Sequence, residues 1–258
     1  VWVGTIDGLS VLGPDGRLTT YTSKNSGLGS DWVIALAIDS QDRVWVATID
    51  PGGPGSLSVL ELDGNWTAYT SKGSGLVSDL VTALAIDSQD RVWVGTQIHG
   101  VSVLEPDGRL TTYTTENSGL VSNDVAALAI DSQDRVWVEN GTNELSVFDP
   151  NGSWTTRTTE NSGSLSFWVG VVAIDSQDRV WVGTSNSTGT GGLSMLEPDG
   201  RWTTYTSENS GLVGNGVTAL AIDSQDRVWV GTDTGLNVLE PDGNWTTYTS
   251  ENSVAALA

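Results

Sequence analysis

Apolar residues along the chain fall in short alternating runs, separated by turns rich in Asp, Gly and Pro. One set runs Val81 to Ile86, the turn Asp87 to Arg91, Val92 to Thr96, Val101 to Leu104, the turn Glu105 to Gly108, and Leu110 to Thr114. Runs of this length, rich in Val, Ile, Trp, Thr and Tyr, predict four short strands. The phrase Val-Trp-Val-Gly-Thr opens the chain at Val1 and returns, with two variations, at Val44, Val92, Val136, Val180 and Val228. Four strands per repeat at spacings of 43 to 48 residues form the pattern of a propeller blade, which buries its faces against its neighbours. The expected fold class is therefore all-β: a six-bladed β-propeller of four-stranded blades, with strands A to D running from inner to outer.

The chain starts on strand B, and its last residues, Val254 to Ala258, repeat the strand-A pattern of Val125 to Ala129. The ring is thus expected to close by pairing this C-terminal strand A with the N-terminal strands B to D, which removes two open edges. The expected blades are 254–258 with 1–22, then 33–70, 81–114, 125–158, 169–206 and 217–249, in one domain spanning 1–258. The linker Ser250 to Ser253 is six residues shorter than its counterpart Ser207 to Gly216. Four residues reach only about 14 Å, so either a taut loop or missing residues before Val254 are expected there.

Composition narrows the function classes. Lys and Arg number 11 against 32 Asp and Glu, a net charge of -21, which repels a phosphate backbone or an anionic membrane. No apolar stretch approaches the roughly 20 residues of a spanning helix. The absence of Cys removes disulfides and thiolate chemistry. The chain opens without Met or an apolar leader, as expected of a mature or excised form. The expected partner is a carbohydrate, peptide or protein, with no nucleic acid, no membrane insertion and no cofactor, and the chain is expected to be a monomer.

The pattern Asp-x-x-x-Arg-Val-Trp-Val-Gly-Thr, then Gly-Leu-Ser-Val-Leu, then Trp-Thr-Thr-Tyr-Thr, resembles the two-component regulator propeller repeat of bacterial sensor proteins, and Asp223 to Leu239 matches it best. The near-identity of the blades is also similar to that of recently amplified bacterial propellers. The resemblance implies a ligand-sensing or interaction domain, non-enzymatic and extracytoplasmic or secreted. The chain departs from such sensors in having six repeats, and no attached helix, kinase or output domain is expected.

Blades that are near copies show where the scaffold leaves side-chain choice free. The A–B turns are identical in five blades (ending at Arg43, Arg91, Arg135, Arg179 and Arg227), and the C–D turns vary little. Variation collects on the opposite face. Before strand A stand Trp32, Leu80, Asp124, Trp168, Gly216 and Ser253, and two residues later Ile34, Thr82, Ala126, Gly170, Thr218 and Ala255, flanking a constant Val. A spacing of two places both variable positions on one side of the strand. The B–C loops on that face hold 3, 8, 4, 4, 8 and 3 residues, and the long ones, Ile49 to Ser56 and Ser185 to Gly192, belong to the blades carrying Trp32 and Trp168. Those blades are three apart in six, so the two Trp are expected to oppose each other across the channel mouth. The expected site is a cleft walled by Trp32 and Trp168, with Phe167, Ile34, Leu80, Asp124 and His99 as contacts, suited to a sugar ring, a peptide side chain or a protein loop.

Catalytic readings are thinner. The single His, His99, lacks a specified nucleophile. Asp124 with Glu139 or Glu144 is the one carboxylate cluster expected on the variable face, the pattern a glycoside-active enzyme needs. A self-assembling repeat scaffold is the remaining alternative. Asp39, Asp87, Asp131, Asp175 and Asp223 end strand A and would either ring a cation or accept turn N–H groups. Arg157 stands where other blades carry Tyr.

Overall fold

The computed structural model describes residues 1–50, 53–141, 144–158, 169–185 and 191–249. Its contacts gather into two units, residues 1–118 with 123–125, and 119–122 with 126–258. The first unit holds β1 (Trp2–Thr5), β2 (Gly8–Leu12) and β3 (Leu18–Tyr21) as a three-stranded sheet. Two four-stranded sheets follow. They are β4 (Trp32–Ile38), β5 (Val44–Asp50), β6 (Gly53–Leu60) and β7 (Trp66–Tyr69), then β8 (Val81–Ile86), β9 (Val92–Thr96), β10 (Val101–Leu104) and β11 (Leu110–Tyr113).

The second unit holds three more four-stranded sheets. The first is β12 (Ala127–Ile130), β13 (Val136–Glu139), β14 (Glu144–Phe148) and β15 (Trp154–Thr158). The next is β16 (Val169–Ile174), β17 (Val180–Thr184), β18 (Gly192–Leu196) and β19 (Trp202–Tyr205), and the last is β20 (Val217–Ile222), β21 (Val228–Thr232), β22 (Gly235–Leu239) and β23 (Trp245–Thr249). Every pairing is antiparallel between chain neighbours, as hairpins require. The chain is all-β, and its fold is a six-bladed β-propeller. The expected closing strand, Val254 to Ala258, lies outside the described residues.

The core sits between successive blades. Trp45, Leu57 and Val59 of one blade pack on Leu76, Val81, Val92 and Val94 of the next. Trp181, Leu193 and Met195 repeat the arrangement against Leu212, Val217 and Val230. The strand-B Trp is thus core in the middle blades, while Trp2 and Trp229 are half-buried. Tyr of strand D stacks on it: Trp93 and Tyr113 lie 6.2 Å apart at 12°.

One expected loop is shorter than its sequence reads. Ile49 to Ser56 was expected to be an eight-residue loop, yet β5 runs to Asp50 and β6 restarts at Gly53, with Thr48 opposite Ser56 and Asp50 opposite Gly53 across a bulge. Backbone pairing lengthens the hairpin, and Gly55 permits the close approach, since a Cβ there would collide with the Thr48 carbonyl oxygen.

Candidate functional site

The segment leading into strand A is a built loop. In the first one, Asn25 Oδ1 accepts from Thr22 N at 2.7 Å, Ser26 Oγ donates to the Thr22 carbonyl at 2.7 Å, and Asp31 Oδ1 accepts from Ser23 N at 2.6 Å. Leu28 beneath is buried, as are its counterparts Leu76, Leu120 and Leu212. The chain then enters β4 with Trp32 42% and Ile34 37% exposed on either side of Val33, which is 8% exposed. Val33 is constant because of what it meets: a Cβ on Gly4 of the preceding blade would lie 2.5 Å from its Cγ1. In this blade Gly4 leaves the room that Val33 fills.

In the third blade the loop between β9 and β10 bridges two such segments. Gln97 N donates to the Leu80 carbonyl at 3.1 Å, Gly100 N to the Asn123 carbonyl at 2.8 Å, and Val125 N to the Thr96 carbonyl at 3.0 Å. His99 N donates to Thr96 Oγ1 at 3.2 Å. Half-buried Leu80, exposed His99 and exposed Asp124 are thereby brought to one edge of the first unit. Ile98, 59% exposed in the same loop, joins them, and sequence reasoning passed over it. Its only signal was that Gln97-Ile98-His99 has no counterpart in other blades. Phe167 and Trp168, the expected opposite wall, lie outside the described residues, as do 186–190 of the second long loop.

The constant face does different work. Asp39, 5% exposed, accepts from Gln41 N at 3.0 Å, Arg43 N at 2.9 Å, Arg43 Nε at 2.6 Å and Trp45 Nε1 at 2.9 Å. The Arg43 guanidinium lies over the Trp45 ring, 5.5 Å from its centre. The same set recurs at Asp87, Asp131, Asp175 and Asp223. Burial would raise the Asp39 carboxyl, but the Trp45 and Arg43 donors outweigh it and hold the group below the ordinary carboxylate range. Of the two readings the turn acceptor is the one found: these carboxylates are occupied by the turn N–H groups, Arg and Trp of their own blade. Among the described residues no group of three or more His, Asp or Glu could hold a metal.

A second carboxylate of the turn links blades. Ser40 donates from N to Asp90 Oδ1 at 2.9 Å and from Oγ to Asp90 Oδ2 at 2.6 Å, and Ser132 to Asp178 and Ser176 to Asp226 repeat the contact. The serine bonds hold all three carboxyls below their ordinary range. Each turn must serve its own Trp and its neighbour's Ser, which accounts for its invariance.

The carboxylate cluster on the variable face is corrected at one member. Glu139 stands at the glycine position of its strand and is fully buried, with Oε1 accepting from Gly141 N at 2.7 Å. A buried carboxylate there cannot meet substrate from the open face.

The family model described as Two component regulator propeller matches residues 27–50, 75–97 and 211–234, each a loop into strand A followed by strands A and B. No curated protein sequence matches the chain. Among solved structures, the extracellular domain of a hybrid two component system from B. thetaiotaomicron is 21% identical with a TM-score of 0.78, over 97% of this chain and 33% of that one. A second such domain from B. thetaiotaomicron is 17% identical with a TM-score of 0.80, over 100% and 36%. Virginiamycin B lyase from Staphylococcus aureus is 15% identical with a TM-score of 0.75, over 97% and 80%. At these identities the likeness is one of fold. The chain spans about a third of the length of the two extracellular domains. Three of its blades thus carry segments that match the two component regulator propeller repeat.

Proposed function

We propose that the protein is a non-enzymatic, extracytoplasmic binding module that meets a carbohydrate, peptide or protein loop on the face built from its D–A and B–C loops. The observation that carries this reading is the row at β4. Trp32 and Ile34 stand exposed on a strand whose intervening Val33 is locked into the blade interface. An exposed Trp on a rigid strand offers large contact area at small entropic cost. Leu80, Ile98, His99 and Asp124, tied together by backbone bonds, add apolar and polar contacts of the kind a binding edge needs. Phe167 and Trp168 are assigned to the same face from their place in the repeat. The extracytoplasmic placement draws on the structural neighbours, which are extracellular domains of two component systems.

The test is a glycan and peptide array probed with the wild type and with Trp32→Ala/Trp168→Ala, after both are shown to melt alike. Binding present in the wild type and lost in the variant supports the reading and identifies the ligand class. Equal binding by both defeats it.

A further inference from the structure

The second unit carries a cavity away from the variable face. It lies at the junction of the β16–β19 and β20–β23 blades, beside their turns, and encloses about 430 Å³. Its apolar wall is Met195, Val228 and Leu239, exposed by 5%, 1% and 6%. Tyr205 stands at the back, its hydroxyl pushed up by burial, with Arg179 acting in the opposite sense and Glu197 reinforcing the rise. The matching notch one junction earlier, between the β12–β15 and β16–β19 blades, encloses only about 30 Å³, with Arg157 in the place of Tyr205. The two successive junctions therefore differ, the later one holding the larger cavity.

The charges around it are unevenly committed. Arg179 is held by Asp175 at 2.5 Å and stacked over Trp181, and Asp226 is taken by Ser176. Arg201, with its side chain 71% exposed, leans toward Asp199 at 3.6 Å. Glu197 and Glu240, at the same position of successive C–D turns, have no hydrogen-bond or ion-pair partner for their carboxylates among the described residues. Two spare carboxylates over an apolar wall, on a chain of net charge -21, select an amphipathic cation.

We propose that this cavity receives a lysine or arginine side chain of a basic peptide segment. The aliphatic stem lies along Met195 and Leu239, and the cation is met by Glu197 and Glu240 in charge-assisted contacts. The occupant is independent of the ligand on the variable face.

Met195 is the single methionine of the chain, so 13C-methyl labelling of methionine places one NMR resonance inside the cavity. Capped glycine-flanked peptides carrying a central lysine, norleucine or glutamate are titrated against it. The lysine peptide is expected to move the resonance saturably and the glutamate peptide to leave it in place. Glu197→Gln/Glu240→Gln is expected to weaken the lysine peptide by about tenfold, and Thr203→Trp, at the rim, to abolish the shift by filling the space. The proposal is overturned if millimolar lysine and arginine peptides leave the resonance unmoved. Equal movement by the norleucine peptide, or unchanged affinity in the double glutamine variant, overturns it as well.

Discussion

Replacing Asp39 by Asn keeps the shape of the A–B turn and changes its chemistry. The amide oxygen can still accept from Gln41 N and Arg43 N, but an NH2 now faces Arg43 Nε and Trp45 Nε1, two donors previously 2.6 and 2.9 Å from a carboxylate oxygen. The Asp39 side chain is fully buried and that of Arg43 is 21% exposed. An orphaned buried donor costs about 1–3 kcal/mol, and breaking a fully buried pair about 3–5 kcal/mol. Because Arg43 reaches some water, the lower half of that range applies, and about 3 kcal/mol is expected in all. For a domain of this size that lowers Tm by roughly 6–12 °C. The assay is thermal and urea denaturation of Asp39→Asn, Trp45→Phe and the double variant. The double variant should fall short of the sum of the singles by about 1–2 kcal/mol, since they share one bond. A loss below about 1 kcal/mol for Asp39→Asn, or strict additivity, would refute the claim that this carboxylate anchors the blade.

Stability should depend on pH in a stated direction. Asp39, Asp90, Asp178 and Asp226 have depressed folded-state pKa values, so their stabilisation is fully present above the unfolded value of about 4. Tm should therefore be level from about pH 5 to 7 and fall progressively below about pH 4; a Tm that rises on acidification contradicts the assignment. Ser132→Ala should raise the Asp178 carboxyl toward its ordinary value in an NMR titration, because Oγ no longer donates to it, whereas an unmoved titration would remove the serine from the clasp. Leu76→Ala, although in a loop, should cost about 2–5 kcal/mol, as a core leucine does. A loss under about 1 kcal/mol would make the loop leucine peripheral.

The blade is legible in the sequence because its determinants are local: strand alternation, the recurring Trp, and turns marked by Asp, Pro and Gly. The turn carboxylates Asp39 and its counterparts can be read as either cation ligands or turn acceptors, and only the position of Trp45 Nε1 decides between them. The Ser40–Asp90 clasp joins residues fifty apart, so invariance shows a constraint without showing its partner. Residues such as Thr22, Asn25 and Leu28 read as linker because their hydrogen bonds span only three to eight residues and carry no strand or helix period. Glu139 reads as a surface acid, while its strand position directs it inward. Of the candidate site, the exposed pair Trp32 and Ile34 around buried Val33 follows from strand periodicity. The gathering of Leu80, Ile98, His99 and Asp124 follows from backbone bonds that side-chain identity does not reveal.

The turn face holds the blades together, and the face of Trp32 is the one proposed to meet the ligand. The most direct test measures Tm and array binding together for Trp32→Ala and Asp39→Asn. The account predicts that Trp32→Ala loses binding with Tm nearly unchanged, and that Asp39→Asn melts earlier yet binds as the wild type does below its transition. Retained binding in Trp32→Ala, with binding lost in folded Asp39→Asn, would contradict it.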